Sequence, residues 1–400
     1  MKQPEGFMEK EESMVCKLKK SIYGLKQSAR CWNTELNKQI KNMGFKQCSS
    51  DPCIYVRDLA GIFILAIYVD DIILAGENTE VIDDIKKRIS EKFDVKDMGK
   101  LHHFLGVKII QNVQTGEIWI GQPNYTIELL SRFKMDESKP AETPVDFNSK
   151  LIKTKEEEKL CNKEIYQSAI GSLLYLSTRT RPDISFAVGN AARYCAQPSD
   201  SHWSAVKRIM RYLKGTLKLG LLYKCNNGGE LVGFSDADWA GDLNDRKSTS
   251  GYIFLVSGSV VSWKSKKQSC VALSTAEAEY MSLASAAQEA IWMRRLINDI
   301  MNDEDNKSTK ATIIYEDNQS AISMSRNPQY HGRAKHIDIK FHFVREQVTE
   351  NHIELIYCKS EDMVADILTK AICGPQFKRL RGMMGMKNEI DITSTIEEEC

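Results

Sequence analysis

Carboxylates are the side chains of this sequence with the clearest capacity for joint chemistry. Phe234-Ser235-Asp236-Ala237-Asp238-Trp239 closes one strand-like run, and Tyr315-Glu316-Asp317-Asn318 closes another. If those strands are neighbours, their ends set Asp236 and Asp317 at one edge of a sheet. Glu277 and Glu279 lie on an intervening helical stretch, and Asp366 follows a later strand. Carboxylates gathered without compensation raise one another's pKa. Divalent cations relieve the repulsion, and hard oxygen donors select Mg²⁺ or Mn²⁺. Two such ions can activate a water and stabilise the leaving oxygen of a phosphodiester. Helical periodicity does not choose between Glu277 and Glu279, because both flank the apolar stripe of Ala276, Tyr280, Leu283 and Ala287. A second acidic pair, Asp70-Asp71, interrupts the β-branched run 62–76, which places both carboxylates at a hairpin tip.

The elements that must position these residues fall into blocks. Residues 1–138 hold the hairpin, a helix over 79–93 with Val81, Ile82, Ile85 and Ile89 at helical spacing, and further strands near 105–110 and 117–120. Residues 139–164, with Pro140, Pro144 and a Lys-Glu-Glu-Glu-Lys run, have the composition of a solvated linker. A helical block follows over 165–227. In its amphipathic stretch 201–214, Lys207, Arg208, Arg211 and Lys214 supply either a solvated face or a phosphate-contacting one. Residues 228–386 read as three strands (231–234, 252–256 and 260–263), then alternating helices and strands, which describes a mixed α/β sheet. The polar, acidic tail 387–400 is expected to fray.

Composition bounds the rest. The chain has 400 residues, enough for two or three domains, and its 42% apolar and 27% charged content excludes bulk disorder and collagen-like repeats. Lysine plus arginine number 55 against 54 acids, a net charge of +1 that alone argues against a nucleic-acid partner. The clustering of bases in 201–224 and of acids at strand ends overrides that sum. Eleven scattered cysteines without metal-knuckle spacing read as free thiols in a reducing compartment. No run reaches the roughly 20 apolar residues of a membrane span.

Further motifs make the reading specific. Tyr68-Val69-Asp70-Asp71 resembles the active-site hairpin of reverse transcriptases. Gln3-Pro4-Glu5-Gly6-Phe7, Ile22-Tyr23-Gly24-Leu25-Lys26-Gln27-Ser28 and Phe104-Leu105-Gly106 resemble the Pol polyprotein of copia-type retrotransposons. So do Arg181-Pro182-Asp183-Ile184, the 235–242 segment, Ser274-Thr275-Ala276-Glu277-Ala278-Glu279-Tyr280, Asp317-Asn318-Gln319-Ser320-Ala321, Lys335-His336-Ile337-Asp338 and Ala365-Asp366-Ile367-Leu368-Thr369-Lys370, in the family's order.

The resemblance implies a partial reverse-transcriptase palm and thumb, a helical connection and a ribonuclease H-like mixed sheet with flanking helices, an α+β or α/β chain. It matches Asp236, Glu279, Asp317 and Asp366 to the metal-binding acids of ribonuclease H, with two Mg²⁺ (Mn²⁺ as substitute). It prefers Glu279 over Glu277 and leaves Asp238, Asp242 and Glu316 without a role. The implied reaction is hydrolysis of the RNA strand of an RNA–DNA hybrid, with selection through the 2′-hydroxyls and hybrid shape. Asp70 and Asp71 match polymerase metal ligands, and Gln27 and Lys26 match residues that position template RNA or DNA and nucleotide. Other Pol or Gag segments are further expected partners, in the cytoplasm within a virus-like particle or in the nucleus.

Two departures accompany it. The family's polymerase uses a third Asp on a strand preceding the Gln-Pro-Glu-Gly-Phe segment, so a palm beginning at Gln3 is expected to be incomplete. The ribonuclease H loop 358–365 has no His; His336 and His342 either substitute for it or serve a structural role. The alternatives to a hybrid ribonuclease are a catalytically dead nucleic-acid-binding remnant and a polymerase active only when its missing part is supplied.

Overall fold

A β-branched run broken by two acids folds back on itself because its alternate residues have one face to bury. Phe63, Leu65 and Ile67 point inward along one strand and meet Leu36, Ile40, Ile85 and Ile89 of two helices. The computed structural model in which this is seen describes residues 1–8, 13–59, 61–148, 150–155, 158–225, 229–301, 310–326 and 335–389. It divides into two units, Met1–Gly99 with Arg295–Ser308, and Lys100–Arg294 with Thr309–Cys400.

In the first unit, α1 (Ser28–Asn42) precedes an antiparallel sheet of β1 (Lys46–Gln47), β2 (Ile54–Asp58), β3 (Ile62–Tyr68) and β4 (Asp71–Ala75), in that order, and α2 (Thr79–Ser90) covers it. The Asn78 side chain caps α2, accepting from the Glu80 and Val81 N–H groups at 2.8 and 3.3 Å.

The second unit begins with β5 (His103–Phe104), β6 (Val107–Asn112), β7 (Glu117–Gly121) and α3 (Pro123–Arg132). Then come α4 (Lys163–Arg179), α5 (Ser185–Ala192), α6 (Asp200–Lys214) and β8 (Leu219–Tyr223). Residues 100–138, grouped by sequence with the palm, therefore pair elsewhere: β7 is antiparallel to β8 of the helical block.

A second sheet contains β9 (Val232–Ala237), β10 (Thr249–Val256), β11 (Ser259–Lys267), β12 (Thr312–Glu316) and β13 (Ile353–Tyr357), ordered β11-β10-β9-β12-β13. It is mixed: β9, β12 and β13 are parallel, β10 is antiparallel to β9, and β11 is antiparallel to β10. Helices α7 (Thr275–Met301), α8 (Gln319–Arg326) and α9 (Lys335–Thr349) belong to one face, where Tyr280, Leu283 and Phe341 meet Phe254, Ile314 and Leu355. Ile253 and Val260 face the other way, into the core built by α4, α5 and α6. Last come α10 (Gly374–Met383) and β14 (Met386–Asn388); β14 pairs with β8, so 387–388 are in a strand and not a frayed tail.

The segment expected to be a solvated linker is strapped down along much of its length. The Leu151 carbonyl accepts from Tyr194 Oη at 2.8 Å, Asn244 Oδ1 accepts from the Lys153 N–H at 2.7 Å, and the Gln197 carbonyl accepts from Thr154 Oγ1 at 2.7 Å. His202, wholly buried, accepts from the Ser199 N–H on Nδ1, which directs the N–H of Nε2 at the Ile152 carbonyl 2.8 Å away. Composition predicts solvation, but tertiary partners here satisfy the backbone groups instead.

The Arg-Pro-Asp-Ile motif is also structural. Arg181, 2% exposed, donates to both oxygens of Asp183 at 2.9 and 2.8 Å and to the Thr216 carbonyl at 3.0 Å. Tyr212 Oη donates to Asp183 and accepts from Arg381, which ties α10 to the helical block. Among the described residues ten cysteines are free, and no helix is long and apolar enough to cross a membrane.

Candidate active site

Parallel pairing of β9 with β12, in register at Phe234 and Tyr315, brings the carboxyl ends of both strands to one edge of the sheet. Phe234 and Tyr315 stack with ring centroids 5.0 Å apart and hold that register. Asp236 and Asp317 consequently meet, as the sequence argument required. Helix α7 approaches closely because Ala278, Ala284, Ala286, Ala287 and Ala290 are all buried. Ser282 Oγ pins it, donating to the Asp236 carbonyl at 2.8 Å and the Gly251 carbonyl at 3.2 Å.

That docking separates the two candidate glutamates. Glu277 Oε2 turns back to accept from the Leu273 N–H at 2.9 Å, closing the loop before the helix. Glu279 Oε2 accepts from the Ala237 N–H at 2.7 Å and stands beside Asp236. Ligand oxygens of Asp236, Glu279 and Asp317 lie within 4.8 Å of one another.

Asp366 comes from the 3₁₀ turn Val364–Leu368, which packs against β10 where a glycine leaves room. Gly251 pairs with Asp236 across the sheet, and a Cβ on it would lie 2.7 Å from Thr369 Cγ2 and 2.8 Å from Leu368 Cβ. The turn thus closes on the cluster. Thr369 Oγ1 donates to Asp236 Oδ2, and Lys370 Nζ lies 2.8 Å from Asp366 Oδ1 and 3.5 Å from Asp236 Oδ1. Ser360 Oγ donates to Asp317 Oδ2 at 2.6 Å.

Burial makes this cluster electrostatically tense. Desolvation, then Glu316, Asp236 and Asp317, push Glu279 well above the ordinary range of a glutamate. Desolvation likewise raises Asp236, although Lys370 and Thr369 oppose it. Asp366 is pushed up to about 8 by burial and then by Asp236, with Lys370 opposing.

Sequence pattern alone gives Glu316 and Lys370 no functional role. Glu316 is fully buried, its Oε2 has no hydrogen-bond partner among the described residues, and burial, Asp236 and Asp317 hold it well above its usual pKa. The signal for it is the inward alternation of Thr312, Ile314 and Glu316 along β12. For Lys370 the signal is its four-residue spacing from Asp366.

Asp238 accepts from the Thr249 N–H, and burial lifts it to about 6. Burial also works to raise Asp242, but Lys267 at 2.5 Å, with Asn244, carries it down to about 2, and Arg193 pairs with it at 3.2 Å. Asp242 thus ties down a loop.

In the first unit, Asp70 and Asp71 are exposed where β3 turns into β4 through Val69 and Asp70. Val69 adopts φ +60°, a strained value for a β-branched residue, and its carbonyl accepts from Trp32 Nε1 at 2.9 Å. Among the described residues no third potential ligand joins the pair as Glu279 joins Asp236 and Asp317. Gln27, at the N-terminal boundary of α1, and Lys26 are exposed.

On α6, Lys207 is exposed and Lys214 half-buried, whereas Arg208 and Arg211 are committed inside the unit. Arg208 reaches Thr143 Oγ1 at 3.1 Å and Asp146 at 3.4 Å, and Arg211 reaches the Lys139 carbonyl at 2.7 Å. The strap claims these two expected phosphate ligands. His342 is exposed on α9, and the side chain of His336 lies outside the described residues.

Sheet and site together define a mixed α/β chain with a desolvated carboxylate cluster at a strand-end edge. Residues 1–147 match the family of reverse transcriptases (RNA-dependent DNA polymerases). The chain is 40% identical over 96% of its length to the retrovirus-related Pol polyprotein from transposon TNT 1-94 of Nicotiana tabacum, covering 29% of that protein. It is 31% identical over 72% of its length to the putative transposon Ty5-1 protein of Saccharomyces cerevisiae, covering 94% of it. Among solved structures, a foamy viral protease-reverse transcriptase in complex with RNA/DNA hybrid aligns over 85% of this chain and 39% of that one, at 13% identity and TM-score 0.48. The chain belongs to the Pol polyproteins of copia-type retrotransposons and spans about three-tenths of the length of the tobacco relative.

Proposed function

We propose that the second unit is a metal-dependent ribonuclease acting on the RNA strand of RNA–DNA hybrids. The observation that carries this reading is the convergence of Asp236, Glu279 and Asp317, from three separate elements, within 4.8 Å. A reverse-transcriptase family assignment supplies the context in which such hybrids arise. The donor set fits hard divalent cations: carboxylates only, largely desolvated, with a buried Glu316 oxygen beside them that has no hydrogen-bond partner among the described residues. Asp236, Glu279, Asp317 and Asp366 would hold two Mg²⁺, which when bound supply water activation and stabilisation of the leaving oxygen.

The chain's own part is placement. The Ala237 N–H and Thr369 hydroxyl fix one oxygen each on Glu279 and Asp236, so those carboxylates present their remaining oxygens in set directions. Ser360 does the same for Asp317. The test is cleavage of a labelled RNA–DNA hybrid by the purified chain in Mg²⁺, against an Asp236→Asn control. Cleavage that depends on Asp236 is the expected result, and its absence in a folded sample refutes the reading.

The exposed Asp70-Asp71 hairpin favours a separate reading of the first unit, as a polymerase centre active only when another chain supplies a further carboxylate. Primer extension by this chain alone would refute it.

A further inference from the structure

The acid cluster already holds a cation. Lys370 Nζ sits between two carboxylates, 2.8 Å from Asp366 and 3.5 Å from Asp236, and its neighbour Thr369 engages the other Asp236 oxygen. The two acids are nearly inaccessible, at 5% and 1% side-chain exposure, whereas the lysine side chain is 41% exposed. Its ammonium therefore reaches in from solvent on a flexible four-carbon stem and closes over the acids. One ammonium balances at most one of Asp236, Glu279, Glu316, Asp317 and Asp366 when they are ionised, and Glu316 Oε2, buried without a partner among the described residues, lies beyond the two acids that Lys370 pairs with. A divalent ion engaging Asp236 and Asp366 needs the same oxygens and is repelled by the same ammonium.

We infer that Lys370 is a resident counter-ion, which holds the cation-free cluster together and must swing out toward solvent before divalent cations occupy Asp236 and Asp366. The inference rests on the ribonuclease reading for its purpose, since it names the step by which that site would load. It makes the lysine a positioning residue. The first ion bears the cost of displacing it, which weakens loading at low cation concentration.

The test is titration of the full chain with Mn²⁺ alone, by calorimetry, alongside melting temperatures in chelator and in saturating Mn²⁺. For Lys370→Met, Mn²⁺ binding tightens about tenfold, the scale of one half-exposed charge at contact distance. Its melting temperature falls in chelator, and the deficit closes in Mn²⁺. Lys370→Arg keeps the charge and stays within about twofold of wild type. If Lys370→Met folds only when Mn²⁺ is added, the counter-ion role is supported; failure to fold even in saturating Mn²⁺ overturns it. Equal or weaker Mn²⁺ binding by folded Lys370→Met also overturns it. If the wild-type chain cleaves hybrid in an Asp236-dependent way while Lys370→Met leaves Mn²⁺ affinity unchanged, this inference falls and the ribonuclease reading stands. A Lys370-dependent Mn²⁺ affinity without hybrid cleavage supports the counter-ion role and refutes the ribonuclease reading.

Discussion

Glu279→Gln should make the cation-free protein more stable and the cation-bound protein less so. Glutamine is nearly isosteric, and its side-chain carbonyl can keep the 2.7 Å bond from the Ala237 N–H. What it removes is charge. At the 4.8 Å limit enclosing the ligand oxygens of Asp236, Glu279 and Asp317, each like-charge pair costs about 3–4 kcal/mol at an effective dielectric near 20. Glu279 takes part in two such pairs. Protonation already relieves much of that cost, as its raised pKa implies, so the net gain at neutral pH is about 1–3 kcal/mol. That is a rise in melting temperature of roughly 2–5 °C for a unit of this size. In Mg²⁺ at about a hundred times its Kd, the wild-type chain gains about 2.7 kcal/mol from mass action. The variant, short of one ligand, gains far less, so the order of the two melting temperatures narrows or inverts. Thermal unfolding followed by circular dichroism, in chelator and in Mg²⁺, reads both effects. A variant melting below wild type in chelator, or stabilised as much as wild type by Mg²⁺, would refute the electrostatic account of the cluster.

Three more outcomes follow from the same geometry. Because Asp366 is raised to about 8 and Glu279 and Glu316 are raised well above theirs, cation-free stability should be greatest below about pH 4 as far as these groups go, and fall as pH climbs through about 8; a flat melting profile in chelator across that window would contradict it. Arg181→Met should cost about 3–5 kcal/mol in urea unfolding, because Asp183, with no side-chain exposure, keeps a buried charge without its partner; a loss below about 1 kcal/mol would show that the pair can relax. Gly251→Ala should push the Thr369 turn away from Asp236 and lower hybrid cleavage about tenfold to a hundredfold, a displacement effect, with far-ultraviolet circular dichroism unchanged; undiminished cleavage would mean the turn accommodates a methyl.

What the sequence made legible was local. The hairpin at Asp70-Asp71, the strands ending at Asp236 and Asp317, and the helix carrying Glu279 all announce themselves through period-2 or period-3.6 patterns. The choice between Glu277 and Glu279 does not, because it is decided by the Leu273 N–H, a partner outside the helical stripe. Glu316 reads as a spare acid beside Asp317, since alternation says which face it takes and not that β12 lies between β9 and β13 with Glu279 close to it. The segment 139–164 is read as solvated from its prolines and charges, while the anchors of its residues 151–154 (Tyr194, Gln197, His202 and Asn244) lie tens of residues away in the chain. The same distance hid the pairing partner of β7 in 100–138, which is β8.

The pairing of β8 with β14 sets a timetable for synthesis. Leu219, Leu221 and Leu222 emerge early, yet the strand that covers their free edge is 386–388, and Trp119 Nε1 waits for the carbonyl of Lys387, 3.0 Å away. At roughly 5–20 residues per second, a ribosome leaves that apolar edge bare for some ten to thirty seconds. Nascent chains are thus exposed to edge-to-edge association through β8 before β14 emerges, and chaperones that shield extended apolar strands should engage them during that interval.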